Sequence, residues 1–226
     1  MGSSGIPATT LLYLFAELWA PASDGRDTDA EPVLGAVVKG LDTAANLLNA
    51  GIWNLWRQGW ITVEQLRPAE PIRTLVLGGA SFVRAAPRKV ENKPAPRGLE
   101  GFLWRAISDH ADGEGRLEAL VRRGSGDDRH GLRSALIGTA LSRRRPSSAV
   151  FALCRGDAAD RGLIEVRGRW RKRLAVPDLD AVRALRPEYE EVSAARRAHL
   201  AEHAEFDHAV LGDCFAALIA ARSSTS

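Results

Sequence analysis

Residues 161–178, RGLIEVRGRWRKRLAVPD, hold the densest run of reactive surface chemistry in this chain. Arg167, Arg169, Arg171, Lys172 and Arg173 crowd around Trp170, and within residues 161–173 only Glu165 opposes them. A second cluster, Arg143, Arg144 and Arg145, lies just upstream. Cations at this density attract a polyanion. Beside an anionic membrane each basic residue contributes about 1 kcal/mol, and a Trp ring settles among the headgroups. The same residues suit nucleic acid, with arginine neutralising phosphates and the indole stacking on a base. A third arrangement folds Trp170 into the core and leaves the arginines as a solvated face.

Residues that would do catalysis are scattered. His203, Asp207, His208 and Cys214 fall in one terminal helical stretch. His203 and His208 are five positions apart, which turns them about 140° from each other on a helix, so they read as exposed histidines rather than metal ligands. His110 and His130 have no partner in sequence, and Asp127 and Asp128 sit in the turn-like GSGDDRHG. No phosphate loop, nucleophile elbow or dinucleotide fingerprint is present. The expectation is a protein that is not an enzyme and uses no cofactor and no metal. Cys154 and Cys214 are the only cysteines, unpatterned, and suit a reducing cytosol.

The chain has 226 residues, 45% of them apolar, enough for a substantial core. Net charge is +3 and the isoelectric point is about 9.2. The basic groups are nearly all arginine; lysine occurs only at Lys39, Lys89, Lys93 and Lys172. No run approaches the 18 or so apolar residues of a membrane span. The opening MGSSGIPATT lacks the basic start and apolar run of a secretory signal. A cytoplasmic protein, peripheral at the inner face of a membrane, is expected.

Several elements follow from periodicity. TTLLYLFAELWA (9–20) reads as a core helix and 21–32 as a loop. From Val33 to Gln58 apolar residues recur at helical spacing, divided near Gly40 and Asp42 into two helices, with Asp42 as N-cap and Gly59 as the terminator. Trp53 and Trp56 lie on one face of that stretch and read as core. WITVEQL (60–66) and IRTLVLG (72–78) read as paired strands, and the Pro-rich 86–98 as a linker or exposed loop. Helices are expected at 98–111, 115–124, 130–144 and 147–160, the last capped by Ser147 or Ser148. DLDAVRALRPEY begins a helix that Pro187 interrupts or ends, and 190–221 forms one or two terminal helices.

One pattern repeats. A helix followed by RQGWITV (57–63) is echoed by a helix followed by DRGLIEV (160–166), the shared core being Gly-Φ-Ile-x-Val. Glycine supplies the left-handed turn out of a helix, and the following residues pack a strand back onto it. If 163–166 pairs with 172–176, Gly168 lies near the turn. The fold class expected is mainly α with two β-hairpins, a compact helical domain made of two winged-helix-like halves. Its divisions are 1–86, a linker at 87–98, 99–189 with the basic hairpin, and C-terminal helices at 190–226.

The order of these elements resembles the Golgi phosphoprotein 3 family. TTLLYLFAELW is similar to that family's opening helix, AANLLNAGIWNLWRQGWITVE to its helix, Gly turn and strand, and DAADRGLIEVRGRWRKRLAVPDLDAVRAL to its later helix and basic hairpin. The resemblance spans roughly residues 9–220 and implies a mainly helical fold with a membrane-facing hairpin. Eukaryotic members bind phosphatidylinositol 4-phosphate and act as adaptors. The resemblance places 167–173 at the membrane and Arg143, Arg144 and Arg145 near the headgroup. The family's Trp is missing from SDGRDTDAEPVLGAVVKG, where Arg26 and Lys39 are the basic residues; this favours binding to a generic anionic surface.

The functional expectation is therefore non-catalytic binding to an anionic membrane surface or phospholipid headgroup. The site would comprise Arg143, Arg144, Arg145, Arg167, Arg169, Trp170, Arg171, Lys172 and Arg173. Two other readings stay open. One is a DNA-binding winged-helix regulator with 147–160 as recognition helix and 167–173 as wing. The other is a scaffold whose basic face meets an acidic protein partner.

Overall fold

The computed structural model describes residues 5–19, 31–33, 36–38, 40–66, 82–88, 94–117, 146–167 and 174–223. Seven helices are present among them: α1 (Ala8–Trp19), α2 (Gly40–Arg57), α3 (Gly98–Leu117), α4 (Pro146–Asp160), α5 (Leu179–Ala184), α6 (Arg186–Glu202) and α7 (Ala204–Ser223). The strands are β1 (Glu31–Val33), β2 (Ala36–Val38), β3 (Ile61–Leu66), β4 (Phe82–Pro87), β5 (Ile164–Arg167) and β6 (Leu174–Pro177). The fold is mainly helical with two antiparallel hairpins, β3–β4 and β5–β6. β1 and β2 form a short antiparallel ladder joined to β6 by the parallel pair Val33 and Ala175, giving the order β2-β1-β6-β5.

α2 is the central element. It packs against α1, α3, α4 and α7, and a helix enclosed on several sides must be apolar around most of its circumference. Ala44, Leu48, Ile52 and Leu55 of α2 are buried together with Tyr13 and Leu14 of α1 and Leu99, Leu103 and Ile107 of α3. Phe151 and Cys154 of α4 and Cys214 and Leu218 of α7 complete the same core.

The repeated helix exit is real in three dimensions. Gly59 and Gly162 have φ of +79° and +72°, the left-handed conformation that glycine adopts without a Cβ clash. The Gly59 and Trp60 N–H groups donate to Trp56 and Leu55 carbonyls, and Gly162 and Leu163 donate to Ala159 and Ala158, all at 2.9 Å. Both are Schellman closures. The next residues, Ile61 and Ile164, are buried and pair with Pro87 and Pro177 respectively. Beyond each proline the chain returns to the same place: Arg88 N–H donates to Trp60 O at 2.8 Å, and Asp178 N–H to Leu163 O at 3.0 Å. Each hairpin is thus clamped to its helix exit by one recurring set of bonds.

Other expectations need correcting. The helix expected before Gly40 is replaced by β1 and β2, where Val33, Val37 and Val38 are β-branched and favour extended backbone. α2 is one helix from Gly40, so Asp42 lies in its first turn rather than at its cap. β3 pairs with Phe82–Pro87; the strand expected at 72–78 lies outside the described residues. Ala86 and Pro87 accordingly complete β4 instead of opening a linker; Pro87 is tolerated because it terminates the ladder. α3 continues through Leu117, absorbing the start of the helix expected at 115–124. α4 begins at Pro146, placing Ser147 and Ser148 inside its first turn, where the fixed φ of proline favours helix initiation. Helix 130–144 lies outside the described residues. Asp178 caps α5 by accepting from Asp180 and Ala181 N–H groups; the helix is interrupted as expected, ending at Ala184, with Pro187 in the first turn of α6.

Candidate anion-binding site

The basic hairpin has a firm root. Leu163, Ile164 and Pro177 are buried and Glu165 is exposed, so the strand keeps one face on the core and one toward solvent. Pairing runs from Ile164 with Pro177 to Arg167 with Leu174. Of the nine expected site residues, Arg167 is placed as the last paired residue of β5. Arg143, Arg144, Arg145, Arg169, Trp170, Arg171, Lys172 and Arg173, together with Arg26 and Lys39, lie outside the described residues.

A cavity near the helix exits carries no signature in the sequence analysis. It encloses about 430 Å³ between the N-terminal arm, the last turn of α2, the 94–97 turn and Arg161. Its wall depends on Gly101, because a β-carbon there would stand 2.3 Å from Pro96 O. At its base Glu100 is buried and accepts from the Thr9 backbone N–H at 3.0 Å, from Thr9 Oγ1, and from Asn54 Nδ2 at 3.2 Å. Thr9 N–H belongs to the first turn of α1, so Glu100 closes that helix's N-terminus from another element. Burial pushes the Glu100 carboxyl above the usual range, outweighing these donors. Gln58 Nε2 donates to Asn54 Oδ1 at 3.2 Å, extending the network toward the surface. Beside it, buried Asp157 accepts from Thr10 Oγ1 and Arg161 Nε, both at 2.9 Å.

A third polar group joins α2, α6 and α7. Asp207 is buried; it accepts from Asn49 Nδ2 at 3.0 Å and pairs with Arg196. Arg196 also lies over Trp53, 5.4 Å from the ring centroid. Trp53 is buried as expected, while Trp56 is half-buried beneath His199, His203 and Phe206. Desolvation, then the charges of Arg196 and His203, lowers the His199 pKa and favours neutral imidazole. His203 and His208 are exposed. Among the described residues no group of His, Cys, Asp and Glu is placed to hold a metal ion. Cys154 and Cys214 are buried and form no disulfide, and burial raises the Cys214 pKa far above that of an activated nucleophile.

No family model, curated protein or solved structure matches this chain. Its chemistry is read from the residues alone. Sequence reasoning missed Glu100 and Asp157, although both interrupt apolar stripes. Glu100 precedes Leu103 and Ile107 by three and seven positions, and Asp157 follows Val150 and Cys154 by seven and three. An acid at such a position is the available signal of a buried polar network.

Proposed function

We propose that this protein binds an anionic membrane surface or phospholipid headgroup, without catalysis, through the connection between β5 and β6. The supporting observation is the hairpin register. Its paired root ends at Arg167 and Leu174, and the joining sequence 168–173 reads GRWRKR, with four cations, one Trp and no acid. A clamped root supports this reading because it limits the conformational entropy lost when the connection meets a surface. We take the two helix–hairpin units as winged-helix-like halves, of which the second presents the basic element. The exposed positions of α4 are Ala152, Gly156 and Asp160, a poor set for a DNA groove, which favours the membrane over nucleic acid as the partner. Among the described residues no helix is long and apolar enough to cross a bilayer, so contact would be from one side.

The test is sedimentation with phosphatidylserine-containing and pure phosphatidylcholine vesicles. Arg169→Glu/Arg171→Glu changes the connection by four charges. At about 1 kcal/mol per engaged charge the loss is up to ~4 kcal/mol, near a thousandfold in partitioning. Raising salt should weaken wild-type pelleting as screening shortens to about 8 Å at physiological strength. Equal pelleting of both proteins would falsify the reading. A gel-shift on duplex DNA at low salt is the companion measurement; tight binding there would transfer the site to nucleic acid.

A further inference from the structure

We propose that the cavity beside Glu100 binds the phosphate monoester of a small organic molecule, gripped by Arg97 and the terminal nitrogens of Arg161. This site is separate from the hairpin connection and does not depend on it. Arg161 is only 22% exposed and is fixed through Nε, 2.9 Å from Asp157 Oδ2, while Thr10 Oγ1 holds Asp157 from the other side. Among the described residues Nη1 and Nη2 of Arg161 have no partner, leaving a pre-oriented guanidinium edge at the cavity. An edge of this kind matches two oxygens of a phosphate. Arg97 is exposed and, among the described residues, pairs with no carboxylate. The two cations rise from adjoining parts of the rim: a β-carbon on Gly98, next to Arg97, would stand 3.1 Å from Asp157 Cβ. Glu100 is the acid on the lining, and its oxygens are already committed to Thr9 and Asn54. Ile6, Leu55 and Trp60 add apolar wall and Asn54 and Gln58 add amides, so an anchored phosphate would leave room for a short polar body. About 430 Å³ falls within the range of small-ligand sites.

The probes are glycerol 3-phosphate, glycerol, and phosphatidic acid in phosphatidylcholine vesicles, titrated calorimetrically into the full chain. Saturable binding of glycerol 3-phosphate but not glycerol is expected. Arg97→Ala should weaken it roughly tenfold to a hundredfold, the effect of one charge-assisted contact, with the melting temperature unchanged because Arg97 is exposed. Arg161→Lys keeps the charge but loses the planar edge and should weaken binding as well, whereas Arg169→Glu/Arg171→Glu should bind like wild type. Binding of phosphatidic acid vesicles alone, lost in Arg97→Ala, would identify a lipid as the phosphate's source and uphold the site. No saturable binding to either probe, unchanged affinity in Arg97→Ala, or vesicle binding lost only in the hairpin variant would overturn it.

Discussion

Replacing Glu100 by alanine and by glutamine separates its shape from its charge. The alanine variant removes the acceptor of Thr9 N–H, Thr9 Oγ1 and Asn54 Nδ2 at a site only 3% exposed. The hydroxyl and the amide can turn toward the adjoining cavity, but the Thr9 N–H is fixed in the first turn of α1. One buried unsatisfied donor costs about 1–3 kcal/mol. Lost packing brings the expected total to about 3 kcal/mol, or roughly 6–12 °C in Tm for a domain of this size. Glutamine keeps the volume and one acceptor and should stay within about 1 kcal/mol of wild type. The two carboxyl states also differ in pH dependence. Burial raises the folded-state pKa above 4.5, so between that value and the raised one the native state keeps a proton that the unfolded chain releases. Stability from this group is therefore full at low pH, falls as pH rises through the window, and levels off above it. Glu100→Gln lacks this slope, so its stability relative to wild type should improve as pH rises. Urea melts at pH 4 to 8 read both effects. Parallel profiles for wild type and Glu100→Gln, or a Glu100→Ala loss no larger than that of a surface substitution, would refute the reasoning.

Other perturbations have equally direct outcomes. Gly59→Ala and Gly162→Ala meet open space but positive φ; each should lose about 1 kcal/mol in a urea melt, and the double variant about 2. Gly101→Ala pushes a β-carbon into Pro96 O and should cost about 1–3 kcal/mol. Gly156→Ala on the exposed side of α4, with nothing within 4 Å, should instead gain roughly 0.5–1 kcal/mol. Asp207→Ala strands the Arg196 guanidinium, which is 12% exposed, and should lower stability by about 3–5 kcal/mol in thermal denaturation.

How far the fold could be read from sequence depended on how local its determinants were. α1, α3 and α4 followed from apolar spacing within one stretch, and the Gly-Φ-Ile-x-Val echo located both helix exits because Schellman closure is set by neighbouring residues. β1 and β2 did not emerge, since three-residue strands owe their conformation to each other and to Ala175 of β6, far along the chain. β4 was hidden because FVRAAP combines an Arg with a terminal Pro, and only its ladder with β3 makes it a strand. The buried acids were the least legible: Glu100 meets Thr9 across 91 positions, Asp157 meets Thr10 across 147, and Asp207 meets Asn49 across 158. Periodicity marks where a side chain points but not the partner that makes its burial tolerable. The cavity is built from four separated stretches, so no one of them carried its signature.

The most direct measurement of the membrane reading is quenching of tryptophan emission by brominated acyl chains in anionic vesicles, comparing wild type with Trp170→Phe. Insertion of the β5–β6 connection predicts strong quenching of wild type that is largely lost in Trp170→Phe while vesicle pelleting persists through the arginines. Identical quenching of the two proteins, or none in either, would contradict it.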